Sequence, residues 1–226
     1  VEVQARLDAA LLNGIRQAGY DFDVINAHAL VELARVDGGT IRAGSGQYRV
    51  VILSAIRMMP PESAERIAEF VRTGGHLIVV GRLPEQAPGV KDLEARTRTL
   101  RDAFARIWDG TQPAAAPTVA PRASAALVTD IPGAIARLSQ VLPPDFRIAR
   151  ETGTGAAESV GFVHRRVGQT DWYFVANVSA DVRDLRVEFA VGHRAQERWD
   201  PESARVAGEV PYAYVTRPGG GRVTSV

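Results

Sequence analysis

A chain of 226 residues, 46% hydrophobic and 23% charged, has the composition of a globular protein and the length of one large domain or two small ones. Its net charge of +1 offers no electrostatic case for nucleic acid or a membrane surface, and no apolar run approaches the roughly 20 residues that span a bilayer. With no cysteine, disulfide scaffolds, zinc–thiolate sites and thiol nucleophiles are excluded.

The chain opens in a helical pattern: Val3, Leu7, Ala10, Leu11, Ile15 and Ala18 recur at helical spacing, with Gly19 as the C′ residue. Phe22 to Ile25 is short, apolar and β-branched, and predicts a strand. Gly38-Gly39 and Gly44-Ser45-Gly46 punctuate a loop or small hairpin. The unalternating run Val50-Val51-Ile52-Leu53 predicts a strand buried on both faces of a parallel sheet. Pro60-Pro61-Glu62-Ser63 opens a helix with the apolar stripe Ala64, Ile67, Ala68 and Val71, stopped by Gly74-Gly75. Leu77-Ile78-Val79-Val80 is the next buried strand, ended by Gly81. Leu93, Thr97, Leu100, Phe104, Ile107 and Trp108 give another helical face. Thr111 to Ala126, rich in alanine and proline, reads as a weakly structured linker. Asp130 then caps a helix with the stripe Ile131, Ile135, Leu138 and Leu142.

This alternation predicts a flavodoxin-like α/β layer over residues 1–145, its parallel sheet covered on both sides. Because the pattern starts with a helix, a first strand is expected upstream of Val1. From about Phe146 the period changes. Val160 to Arg165, Trp172 to Ala176, Leu185 to Val191, Gln196 to Trp199 and Tyr212 to Thr216 are short strand-like runs, which makes 146–226 an antiparallel, incomplete β-sandwich. Gly168-Gln169 and residues 177–184 are the turns between them. The last residues, Gly221 to Val226, read as a strand with no partner after it, and the chain as a segment of a longer protein.

Catalytic patterns are sparse. Ser54 follows a buried strand, where an α/β enzyme places a nucleophile, but no base accompanies it and it reads as a small turn residue. His28, His76, His164 and His193 show no metal-ligand spacing, and His76 reads as a rim residue. Glu62, Glu65 and Glu69 share a helix face and read as solvated rather than as a glycosidase pair. Asn177-Val178-Ser179 fits a glycosylation sequon but reads as a strand end and turn. Two clusters stand out. His164-Arg165-Arg166 ends one strand and Asp171-Trp172-Tyr173-Phe174 begins the next, with an arginine able to pair with Asp171 across the turn. Trp199-Asp200-Pro201 sets an aromatic beside an Asx-type turn. His164, Arg165, Arg166, Asp171, Trp172, Trp199 and Asp200 are the candidate sugar or interdomain contacts.

Tyr20 to Asn26, Tyr48 to Leu53, Met58-x-Pro60, Phe70-Val71-x-x-Gly74-Gly75, Val163 to Arg166, Asp171-x-Tyr173-Phe174-Val175-Ala176-Asn177 and Trp199-Asp200-Pro201 occur in that order. Together they resemble the C-terminal half of family-106 α-L-rhamnosidases, from Ala18 to about Pro201. Where that family tends to carry a Thr-Gly turn after Trp-Asp-Pro, this chain has Glu202-Ser203-Ala204. The resemblance implies a class I glutamine amidotransferase-like domain and the start of a β-sandwich, packed beside an upstream (β/α)8 barrel that holds the sugar-cleaving carboxylates. It also implies an inverting, calcium-assisted parent, periplasmic or extracellular by the habit of polysaccharide-degrading enzymes. No catalytic residue, metal ligand or cofactor of this segment follows from it. A carbohydrate-binding or oligomerisation module, as in the trimerisation domain of some β-galactosidases, is the alternative, favoured if the rings of Trp172, Tyr173 or Trp199 are exposed. An independent enzyme using the strand ends near Ser54 and Gly81 ranks last.

Overall fold

A computed structural model describes residues 8–109, 124–152, 159–192, 195–209, 211–216 and 222–226. The chain separates into two compact units, Val1–Asp8 with Asp23–Leu142 and Ala9–Phe22 with Pro143–Val226.

In the first unit a single π turn, Ala29–Leu33, precedes an antiparallel meander of β1 (Arg35–Asp37), β2 (Thr40–Ala43) and β3 (Gly46–Tyr48). The two-residue turns use the predicted glycines: Gly38, Gly39 and Gly44 all have positive φ, as hairpin turns of primed type require. Next come β4 (Val50–Ser54), α2 (Pro61–Arg72), β5 (His76–Val80), α3 (Leu93–Asp109), β6 (Ser124–Val128) and α4 (Ile131–Val141). The three strands form a parallel sheet in the order β4-β5-β6, with Val50 opposite His76 and His76 opposite Ser124. Central β5 is buried at every residue. The core gathers Phe70 and Ile67 of α2, Leu77 and Val79 of β5, and Leu100, Phe104 and Ile107 of α3. Burying rings and branched chains of this size contributes roughly 1.5–3 kcal/mol each. α4 starts as predicted, the Asp130 carboxylate accepting from Gly133 N at 2.8 Å.

The second unit begins with α1 (Ala9–Gln17), ended by a Schellman motif in which Gly19 N donates to Arg16 O and Tyr20 N to Ile15 O, with Gly19 at φ +87°. The Gly19 carbonyl accepts from the backbone N–H groups of Asp145 and Phe146, fixing the helix end to the start of β7 (Phe146–Thr152). β8 (Val160–Val167) and β9 (Thr170–Asn177) form one hairpin, and β11 (Glu197–Asp200) and β12 (Arg205–Glu209) another. β10 (Asp184–Phe189), β13 (Ala213–Thr216) and β14 (Arg222–Ser225) join β7 in an antiparallel sheet ordered β13-β14-β10-β7.

Several expectations need correction. Residues 22–25 form no strand, because among the described residues nothing pairs with them. β4 is half-buried rather than buried on both faces, since it lies at the edge of its sheet. The end of the supposed linker, from Ser124, is the third parallel strand, while residues 111–123 lie outside the described set. The final strand is not partnerless: β14 sits between β10 and β13, with Val223, Thr224 and Ser225 buried. His76 is buried, not on the rim.

Candidate functional site

The β8–β9 hairpin carries most of the candidate residues. Its turn is Gly168-Gln169, with Gly168 at φ +59° and Gln169 outside the left-handed region, which is type II′ geometry and fixes the register. His164 then faces Tyr173, Arg166 faces Asp171, Arg165 faces Trp172 and Val163 faces Phe174. Strand alternation turns the first two pairs to one face and the last two to the other.

On the inner face the Asp171 side chain is 3% exposed. Its Oδ1 accepts from Arg166 Nε at 2.7 Å and lies 3.0 Å from His164 Nε2. His164 Nδ1 faces Asp145 Oδ2 at 3.7 Å. The imidazole stacks on Tyr173 at 4.2 Å between ring centres, Tyr173 packs on Phe189, Phe189 on Phe146, and Phe146 on Phe162. Phe146 is buried and the other rings of this chain are half-buried, and the ionic cluster closes one end of it. Asp145 and then Asp171 raise the His164 pKa against the opposing pull of burial. Burial pushes the Asp171 carboxyl up, but hydrogen bonds from Arg166 and His164 outweigh it and hold it below the ordinary carboxylate value.

The outer face is different. Arg165 donates to Asp21 Oδ2 and to the His164 carbonyl, each at 2.7 Å. Trp172 is 44% exposed and meets Trp199, 46% exposed, edge-on at 5.5 Å. The Trp199 indole N–H donates to Glu197 Oε2 at 3.2 Å. Phe174 and Val163 extend the exposed apolar strip. The seven residues therefore separate: His164, Arg166 and Asp171 cluster inside, Arg165, Trp172 and Trp199 lie outside, and Asp200 holds a turn. Tyr173 is half-buried and stacks between His164 and Phe189 on the inner face.

Asp200 accepts from Glu202 N at 3.0 Å and Ser203 Oγ at 2.6 Å, the predicted Asx turn. Hydrogen bonding from Ser203 and then Glu202 lowers its carboxyl pKa. The turn ends at Ala204 with φ +54°. Ala204→Gly is expected to raise stability by about 0.5–1 kcal/mol, the left-handed cost of roughly 1–2 being offset in part by a freer unfolded chain. A denaturant midpoint that falls or stays put would refute the strain at this turn.

Ser54 Oγ lies 3.3 Å from Asp8 Oδ2, and Ala55 beyond it has φ +50°. His76 stands at the opposite end of the neighbouring strand, four residues or about 13 Å away, so it is no base for Ser54. Glu62, Glu65 and Glu69 pair with Arg96, Arg106 and Arg66, a charged helix surface as expected. Asn177 Oδ1 accepts from Ser179 N at 3.0 Å, so the sequon is an Asx turn. His193 lies outside the described residues. Calcium takes six to eight oxygens. Among the described residues no three His, Asp or Glu groups converge to hold such an ion.

Sequence reasoning missed Asp145, Asp21 and Glu197. Asp145 and Asp21 meet their partners through the fold and Glu197 meets Trp199 two residues along its own strand, while the pairing of an arginine with Asp171 was signalled by the turn at Gly168-Gln169.

A family model described as alpha-L-rhamnosidase, glycoside hydrolase family 106, matches residues 12–214. The solved structure of a rhamnosidase from Novosphingobium sp. PP1Y superposes with a TM-score of 0.62 at 27% identity, over 89% of this chain and 18% of that one. A Formosa agariphila protein provisionally named a β-glucuronidase is 26% identical over 198 residues, 88% of this chain and 15% of its own. The chain spans less than a fifth of the length of either relative.

Proposed function

From the chain's membership of the family-106 α-L-rhamnosidases, we propose that it is a non-catalytic segment of a larger glycoside hydrolase acting on α-L-rhamnosides. The disparity in length carries this reading: the match runs along 89% of this chain yet accounts for 18% of the solved rhamnosidase. The commitment of Asp171 to Arg166 and His164 supports it, because a carboxylate buried and neutralised in this way holds a sheet rather than attacking a sugar bond. In the finer form, residues 1–145 are a flavodoxin-like, amidotransferase-like layer, and 146–226 are the first strands of a β-sandwich. Both buttress an upstream (β/α)8 barrel of the same polypeptide, where the catalytic carboxylates reside.

The isolated segment is expected to show no turnover of an aryl α-L-rhamnoside, while the longer gene product cleaves it. Turnover by the segment alone would overturn the accessory role, and silence from both would remove the rhamnoside.

The exposed pair Trp172 and Trp199 favours a second reading, a carbohydrate-binding or oligomerisation module. Titrating the segment with rhamnose-containing oligosaccharide while following tryptophan fluorescence tests the binding form, and an unchanged spectrum at saturating sugar rejects it.

A further inference from the structure

His164 is held from two directions at once. On β9 its Nε2 partner is Asp171 Oδ1 at 3.0 Å, and at the entry to β7 its Nδ1 faces Asp145 Oδ2 at 3.7 Å. Only the imidazolium carries an N–H at both nitrogens; the neutral ring donates from one and accepts at the other. The two carboxylates differ in what a lost bond costs them. The Asp171 side chain is 3% exposed and would be left buried with one bond fewer, whereas Asp145, 40% exposed, can turn to water. The proton that leaves is therefore the one on Nδ1. The lone pair it uncovers faces Asp145 Oδ2, acceptor against acceptor.

We propose that the Nδ1 proton of His164 is a latch that fastens the tip of the β8–β9 hairpin to the entry of β7 and frees it when lost. The other ties lie elsewhere. Phe146 stacks on Phe162, two residues nearer the open end of the hairpin, and holds at any pH. Arg165 bonds Asp21 on the outer face, but their side chains are 63% and 29% exposed, and pairs of that kind hold weakly. The remaining charges on the elements around the ring are engaged: Arg166 with Asp171, Glu188 of β10 with Arg147, and Arg16 of α1 over the Phe22 ring. Tyr173 presents its ring face to the imidazole, the two planes 8° apart. Asp145, ahead of Asp171, raises the His164 pKa above its ordinary 6.5. The latch is thus closed below 6.5 and opens as pH rises through the raised value. The outer face moves with the tip, because Trp172 lies opposite Arg165 in the ladder and meets Trp199 of the other hairpin. Acid sets this exposed aromatic pair, and a higher pH loosens it.

Imidazole nitrogen NMR and single-amide hydrogen exchange, followed across pH on the 226-residue chain, test the latch. On the alkaline side of its transition His164 is expected to keep its proton at Nε2. The protection factors of Arg165 and Trp172, near the tip, should fall there by about tenfold. Gly161 and Ala176, at the other end of the same ladder, should keep theirs. In Asp145→Asn the His164 transition moves to lower pH and the fall at the tip disappears, since no carboxylate is left for the Nδ1 proton to bind. A proton retained at Nδ1 above the transition would overturn the proposal. So would tip protection that is equal on both sides of it, or a fall that survives in Asp145→Asn.

Discussion

Replacing Asp171 by alanine is expected to destabilise the second unit by about 3 kcal/mol, seen as a lower denaturant midpoint at unchanged slope. The carboxylate is 3% exposed and serves Arg166 and His164 together. Breaking a buried pair costs roughly 3–5 kcal/mol, and the lower end applies because the Arg166 side chain is 60% exposed and regains water. The pH dependence of the effect separates this cluster from simple packing. The His164 pKa is raised by Asp145 and then Asp171, above its ordinary 6.5, so its contribution is complete below 6.5 and is lost as pH rises through the raised value. The Asp171 pKa is lowered below 3.8, so its contribution is complete above 3.8 and is lost as pH falls through the lowered value. The difference between wild type and Asp171→Ala should form a plateau between these limits and shrink on either side. A difference that stays level across the whole range would show that the carboxylate contributes only by filling space. His76 in the first unit runs the opposite way. Burial, then Arg49 and Arg137, lower its pKa, so the first unit weakens as pH falls from 6.5 toward that lowered value.

Gly19→Ala should cost about 3 kcal/mol or more. A methyl group there would stand 1.8 Å from the carbonyl oxygen of Phe146, at a residue whose φ is +87°. The left-handed conformation accounts for roughly 1–2 kcal/mol and displacement of a packed backbone for about 1–3 more. Gly38→Ala is the control: φ is +53°, nothing lies within 4 Å, and only the first cost applies. Equal losses in the two variants, by denaturant unfolding, would show that the close approach of α1 to β7 contributes nothing.

The first unit was legible where local chemistry decides: glycines with positive φ set both hairpin turns, Asp130 capped its helix, and the branched run of β5 was buried throughout. It failed where tertiary pairing decides. Val50 to Leu53 looks like a central strand, yet burial depends on neighbours that its own residues do not encode. Ser124–Val128 was hidden because two alanines and a serine carry little β signal, and only the ladder with β5 makes them a strand. Phe22 to Ile25 shows the converse, strand chemistry with nothing to pair with. In the candidate cluster, the hairpin turn made the Arg166–Asp171 pair readable. Asp145 and His164 are nineteen positions apart, and a bond of that kind has no periodic trace.

The place of β14 also governs how the second unit can be made. A ribosome delivers β7, β10 and β13 before the strand that lies between β10 and β13. Until residues 222–225 emerge, β13 has no hydrogen-bonded neighbour in the sheet and β10 presents one open side, both free to capture other nascent strands. Assembly of this sheet is therefore deferred until residues 222–225 are made. A stop or a proteolytic cut before Arg222 leaves two sticky edges where the intact sheet has a closed seam.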